Sequence, residues 1–85
     1  MIEKKLKEPK VGQVYRFERD GTICVCTNDK WAMENGGRYH FIEPSGNIFF
    51  HCMDHLEFEK AVVISEYSTW IEAINSKEFN SKENK

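Results

Sequence analysis

The residues best equipped for chemistry in this 85-residue chain are its cysteines and histidines, and all of them fall between positions 24 and 55. They group as Cys24-Val25-Cys26, a single His40, and His51-Cys52-Met53-Asp54-His55. Thiolates and imidazoles are the donors zinc prefers, so one reading is a structural Cys3His zinc centre built from Cys24, Cys26, Cys52 and His55, with His51 or His40 as substitutes. Four ligands at ~2.0–2.3 Å would crosslink a first hairpin to the end of a second, and metal affinity would add to folding free energy. The spacing opposes this, because strong zinc knuckles carry Cys-x-x-Cys on a turn, whereas Cys24-x-Cys26 sits in a strand pattern. Cysteine is also a small, readily buried apolar residue. Packed beneath the rings of Tyr15 and Phe17, Cys24 and Cys26 need no metal, and this core reading takes precedence. A third reading makes Cys52 a nucleophile activated by His51 or His55. Neighbours along a strand point to opposite faces, however, and no oxyanion or substrate motif accompanies them. The chain is expected not to be an enzyme.

The elements that must hold these groups are legible as short strands. Val14–Arg19 and Thr22–Thr27 flank Asp20-Gly21, the signal for a two-residue type I′ hairpin. That loop predicts Arg19 opposite Thr22, Phe17 opposite Cys24 and Tyr15 opposite Cys26, with Tyr15, Phe17, Cys24 and Cys26 on one face. A second hairpin, Arg38–Glu43 and Asn47–Cys52, surrounds Pro44-Ser45-Gly46. Its register places Ile42 opposite Ile48, His40 opposite Phe50 and Arg38 opposite Cys52, while Phe41/Phe49 and Tyr39/His51 pair on the other face. Both faces are apolar, so this hairpin is expected to be central and covered on both sides. Trp31-Ala32-Met33 reads as a short strand or turn, Asn35-Gly36-Gly37 as a turn, and Met53–Lys60 as a helical turn or loop. Ala61–Tyr67 is a β-branched strand. Thr69-Trp70-Ile71-Glu72 fits a capping box, opening a helix to about Asn75, extendable to Phe79, with Trp70, Ala73, Ile74 and Lys77 recurring at helical spacing. The fold class predicted is α+β: a twisted antiparallel sheet or small open barrel of four to six strands with one C-terminal helix packed on it. Residues 1–10 read as a flexible arm, 11–79 as one domain and 80–85 as a frayed tail.

Composition narrows the function. Hydrophobic residues make up 40 % and aromatics 13 %, enough for one core and too much for a disordered chain. The net charge of −2 and pI near 5.9 lack the basic face of a nucleic-acid grip. No apolar run reaches the roughly 20 residues of a membrane span. Met1–Lys7 has no apolar segment behind its charges, so no signal peptide is expected. A cytoplasmic location with reduced thiols follows, and three cysteines cannot all pair within one chain. The acids Asp54, Glu57, Glu59, Glu66, Glu72 and Glu78 load the C-terminal half, either as an ordinary solvated surface or as a face for a basic partner. Trp31 is core or an exposed anchor.

Pro9–Tyr15 and the closing segment Val63–Phe79, with its Glu66-Tyr67-Ser68-Thr69-Trp70-Ile71-Glu72-Ala73-Ile74-Asn75-Ser76-Lys77-Glu78-Phe79, resemble small accessory proteins of phages and prophages of Gram-positive bacteria. Some small acidic proteins of that kind are anti-CRISPR inhibitors that bind Cas9. The resemblance therefore implies a non-enzymatic protein that occludes a host defence protein, Cas9 foremost, in the bacterial cytoplasm. The competing expectation is a phage accessory domain that binds another phage protein.

Overall fold

Strand alternation, turn glycines and a capped C-terminal segment produce one sheet with helices on its two faces. The computed structural model describes residues 8–28 and 38–80. Its strands are β1 (Gln13–Phe17), β2 (Thr22–Asn28), β3 (Arg38–Ile42), β4 (Ile48–Cys52) and β5 (Ala61–Glu66). Among the described residues, α1 (Met53–Phe58) joins β4 to β5, and α2 (Trp70–Ile74) and α3 (Lys77–Asn80) follow β5. The five strands form an open antiparallel sheet in the order β4-β3-β2-β1-β5. This is the α+β class that the alternation predicts. No helix among the described residues is long and apolar enough to cross a membrane. The readings at Trp31–Met33 and Asn35–Gly37, residues 1–7 of the arm and the tail after Asn80 lie outside the described residues. Within the predicted arm, Pro9 is buried, and Lys10 exchanges hydrogen bonds with Gln13.

The second hairpin has the predicted register, Arg38 opposite Cys52 through Ile42 opposite Ile48. Gly46 takes φ +94° and its N–H donates to the Glu43 carbonyl, closing the turn at 2.8 Å. The first hairpin corrects the expectation by two residues: Phe17 faces Thr22 and Tyr15 faces Cys24. A type I′ turn needs φ > 0 at both central residues, yet of the Asp20-Gly21 pair only Gly21 has it, at +80°. The Phe17 carbonyl accepts from the Gly21 N–H at 2.7 Å across a loop of residues 18–21. Glu18 and Arg19 turn their N–H groups to the carbonyls of Lys60 and Glu59 instead of to β2.

A slip of two preserves which side chains share a face. The first face therefore buries Tyr15, Phe17, Cys24, Cys26, Tyr39 and Phe41, and Leu56 of α1 closes over them. Tyr15 and Phe41 meet edge to face at 5.8 Å, and Phe41 stacks on Phe49 at 5.5 Å. The opposite face buries Val14 and Val25 beneath Ala73 and Phe79, with Ile23, Ile42, Ile64, Tyr67 and Ile74 around them. Helix α1 touches both β4 and β5, the two margins of the sheet. On β5 the pairing with β1 slips between Val14 and Tyr15, leaving Ile64 as an extra residue in a β-bulge.

The C-terminal segment forms two short helices rather than one. The Thr69 hydroxyl caps α2 by accepting from the Glu72 N–H at 3.1 Å, as the capping box predicts. Glu72 reaches back one residue further than expected, to the Ser68 N–H. Ser76 interrupts the helix: its hydroxyl donates to the Ala73 carbonyl at 2.6 Å and accepts from the Phe79 N–H at 3.2 Å, so it ends one helix and starts the next. Of the predicted stripe, Ala73 is buried and Ile74 half-buried, whereas Trp70 and Lys77 are exposed.

Candidate interaction surface and the Cys/His set

Helices α2 and α3 pack over β1 and β2. The β3–β4 half of that face keeps large apolar groups exposed: Ile48 is 51 % accessible, Phe50 39 % and, at the rim, Trp70 37 %. Strand alternation sets the row. Ile42 pairs with Ile48 and His40 with Phe50, so all four side chains share this face. The His40 and Phe50 rings meet at 4.8 Å. Thr27, His40, Ile42 and Trp70 line a cleft of about 270 Å³. The Thr27 hydroxyl bonds His40 Nδ1 and fixes the imidazole against the wall of that cleft. Trp70 reaches the cleft because Thr69 starts α2 there. Of these residues, Trp70 and Phe50 are of the aromatic types enriched at protein-contact interfaces.

Four of the predicted acids have partners within the fold, and Glu66 and Glu72 among them stay exposed. Glu66 accepts from the Gln13 amide, Glu78 from the Tyr67 hydroxyl, and Glu72 from the Ser68 N–H, while Glu59 lies beside His55. The Tyr67 hydroxyl also lowers the pKa of Glu78. Asp54 and Glu57 are exposed on α1.

The structure does not gather the four predicted zinc ligands. Cys24 and Cys26 are fully buried on the first face, beside Tyr15 and Phe17. Burial, followed by the nearby Glu43, Cys26 and Asp20, pushes the Cys24 thiol far up and disfavours the thiolate that zinc needs. Cys52, opposite Arg38 at the end of β4, is half-buried, and alternation assigns it to the other face. Among the described residues no three Cys, His, Asp or Glu side chains cluster as a metal centre. His55 is drawn instead to a different neighbour. Its ring lies against that of His51, tilted by 42° with centroids 3.9 Å apart, and its Nε2 lies 3.1 Å from Oε2 of Glu59. Phe58 continues this column and carries the Arg19 guanidinium 4.3 Å above its ring.

Sequence reading treated His51 and His55 as alternates for one site. Their five-residue window, with His51 next to last in β4 and His55 in the first turn of α1, is the available signal that they meet. The cleft was harder to see, because it joins β2, β3 and the cap of α2 across long stretches of chain. Comparison of the chain with known protein families, curated proteins and solved structures gave no match.

Proposed function

We propose that this chain is a non-enzymatic binding protein that docks a host protein through the patch of Ile42, Ile48, Phe50 and Trp70 around the His40 cleft. The observation that supports it is the exposure of Ile48 and Trp70 in a domain with few large residues to spare from its core. Buried on binding, such groups contribute most of an interface's affinity. The resemblance of the closing segment to phage accessory proteins supports a type II CRISPR effector, Cas9, as the partner, with inhibition by occlusion. In that reading aromatic and aliphatic anchors hold the complex, and Asp54 and Glu57 act on encounter rate.

The test is complex formation by size-exclusion chromatography together with Cas9 cleavage of target DNA. A stoichiometric complex and lost cleavage are expected. Trp70→Ala and Ile48→Asp should each weaken binding by roughly 10-fold or more, corresponding to at least ~1.4 kcal/mol. Unchanged cleavage at large excess removes Cas9 as the partner. Recovery of phage proteins alone from infected cells redirects the reading to an accessory domain. Binding indifferent to both substitutions removes the patch.

A further inference from the structure

The docking patch is bordered by a second cleft. The last β2–β3 pair is Val25 with Ile42, and β3 ends there. Thr22 and Ile23, at the start of β2, therefore run on beside the β3–β4 turn instead of beside a strand. Thr22, Ile23, Glu43, Pro44 and Ser45 line an open cleft of about 370 Å³ between the two. Ile42 lines the His40 cleft, and Glu43, the next residue, lines this one. Ile23 also packs in the same apolar cluster as Ile42. The geometry points to this second cleft as a subsite for a basic side chain, an arginine, that the docked partner carries beside its apolar anchors. As an extension of the docking patch, the subsite presupposes that this face binds a protein.

Charge selects the occupant. Glu43, half-buried, is the one charged group among the lining residues. Among the described residues no side chain bonds its carboxylate: Arg16 is held by Glu18 at 2.6 Å, and the Arg19 guanidinium lies over Phe58. The carboxylate lies close to β2, since after burial it is the next cause that raises the Cys24 pKa. Asp20 adds negative charge at the same end of the sheet. The Thr22 N–H donates to its Oδ1 at 3.0 Å, and bonding to Thr22 holds the Asp20 carboxyl below its ordinary range. A cation seated at Glu43 would thus meet carboxylates and no described competitor. Ile23 and Pro44 give the methylene stem of an arginine an apolar wall. The Thr22 and Ser45 hydroxyls beside Glu43 suit a planar group with several N–H donors better than a point charge. Arginine is also among the residues enriched at protein interfaces.

The experiment titrates the isotope-labelled full chain with the peptide acetyl-Leu-Arg-amide and follows backbone amides by NMR. Acetyl-Leu-citrulline-amide, of the same shape but neutral, is the reference. Saturable shifts of the Thr22, Ile23, Glu43 and Ser45 amides are expected with the arginine peptide. Binding should weaken about 3–5-fold with the citrulline peptide or with Glu43→Gln. Sodium chloride at ~0.5 M should remove most of that difference. Glutamine keeps the shape of the side chain and the backbone bonds that Glu43 makes with Asn47 and Gly46, so the melting temperature should not move. An unmoved spectrum, equal binding of the two peptides, or binding indifferent to Glu43→Gln overturns the subsite. The peptide comparison uses the unaltered protein, so it decides the matter even if the variant fails to fold. Cas9 complex formation, read in parallel, separates the two failures. A chain that takes the arginine peptide but not Cas9 loses that partner and keeps the subsite. A Cas9 complex unmoved by Glu43→Gln removes the subsite and leaves the docking patch.

Discussion

Replacing Gly12 by alanine should be the most damaging single-methyl change in the fold. Gly12 has φ +97°, and a Cβ built there would sit 2.3 Å from the backbone oxygen of Tyr67 and 3.4 Å from the Thr69 backbone. Neither neighbour is the flexible end of a side chain. Gly12 also donates to the Cys26 carbonyl and accepts from the Tyr67 N–H, each at 3.0 Å, which ties the start of β1 to both of its neighbouring strands. Backbone strain of this kind costs about 1–3 kcal/mol. Pushing Gly12 away from Tyr67 weakens both hydrogen bonds of the Gly12 backbone, each contributing about 0.5–1.5 kcal/mol. The sum is ~4 kcal/mol, against a whole-domain stability of roughly 4–13 kcal/mol for a chain of this length. At about 4–8 °C per kcal/mol, the melting temperature should drop by ~16–32 °C. Gly21→Ala is the internal control, because Gly21 has φ +80° but no described residue within 4 Å of the added carbon. It carries the strain cost alone, ~1–3 kcal/mol. Thermal unfolding followed by circular dichroism on both variants measures the difference. Equal melting temperatures would refute the close approach of β1 to the Tyr67–Thr69 corner.

Three further outcomes follow from the burial and capping of particular residues. Burial raises the pKa of Cys24 above its ordinary 9.0 and that of Tyr15 above 10.0. Above those values the unfolded chain releases protons that the folded chain retains, so stability falls as pH rises, by up to about 1.4 kcal/mol per pH unit for each group; urea midpoints measured from neutral to alkaline pH should show it, and Cys24→Ala should reduce the slope. A thiol reagent at neutral pH should label half-buried Cys52 first and reach Cys24 and Cys26 only on unfolding, which mass spectrometry of the labelled peptides reads directly. Thr69→Ala removes the α2 cap, costs about 1 kcal/mol, and should lower the melting temperature by ~4–8 °C in a thermal scan.

The faces of the sheet were more legible than its registers. Period-two alternation places Tyr15, Phe17, Cys24 and Cys26 together whether the first hairpin turns tightly or two residues wider. The actual loop depends on what Glu18 and Arg19 bond to, and their partners, Lys60 and Glu59, lie some forty residues away, beyond the reach of local turn chemistry. Pro44-Ser45-Gly46 had no such competitor, and its register followed from the sequence. Helix α1 gave a weak signal for two reasons. Its N-cap, Cys52, makes no side-chain capping bond. It is also followed by Lys60 in a left-handed conformation at φ 58°, where a glycine would have announced the stop. The split between α2 and α3 rests on the Ser76 hydroxyl, which turns back on the chain at a position where helical spacing alone predicts continuation. At the candidate sites, the sequence reading kept His51 as a substitute ligand and did not anticipate its ring contact with His55, and the Trp70 cleft required the third dimension.

The surplus residue Ile64 bears on how the protein behaves in a crowded solution. Fibrils grow when one chain lays a strand against the next at a constant repeat of about 4.7–4.8 Å. Val62 and Val63, at the rim of the molecule, are the sort of residues that invite such copying. One unmatched position between them and Ser65 spoils the periodicity that a templated neighbour would have to follow. An irregularity that looks like a flaw in pairing thus keeps a sticky margin from recruiting copies of itself.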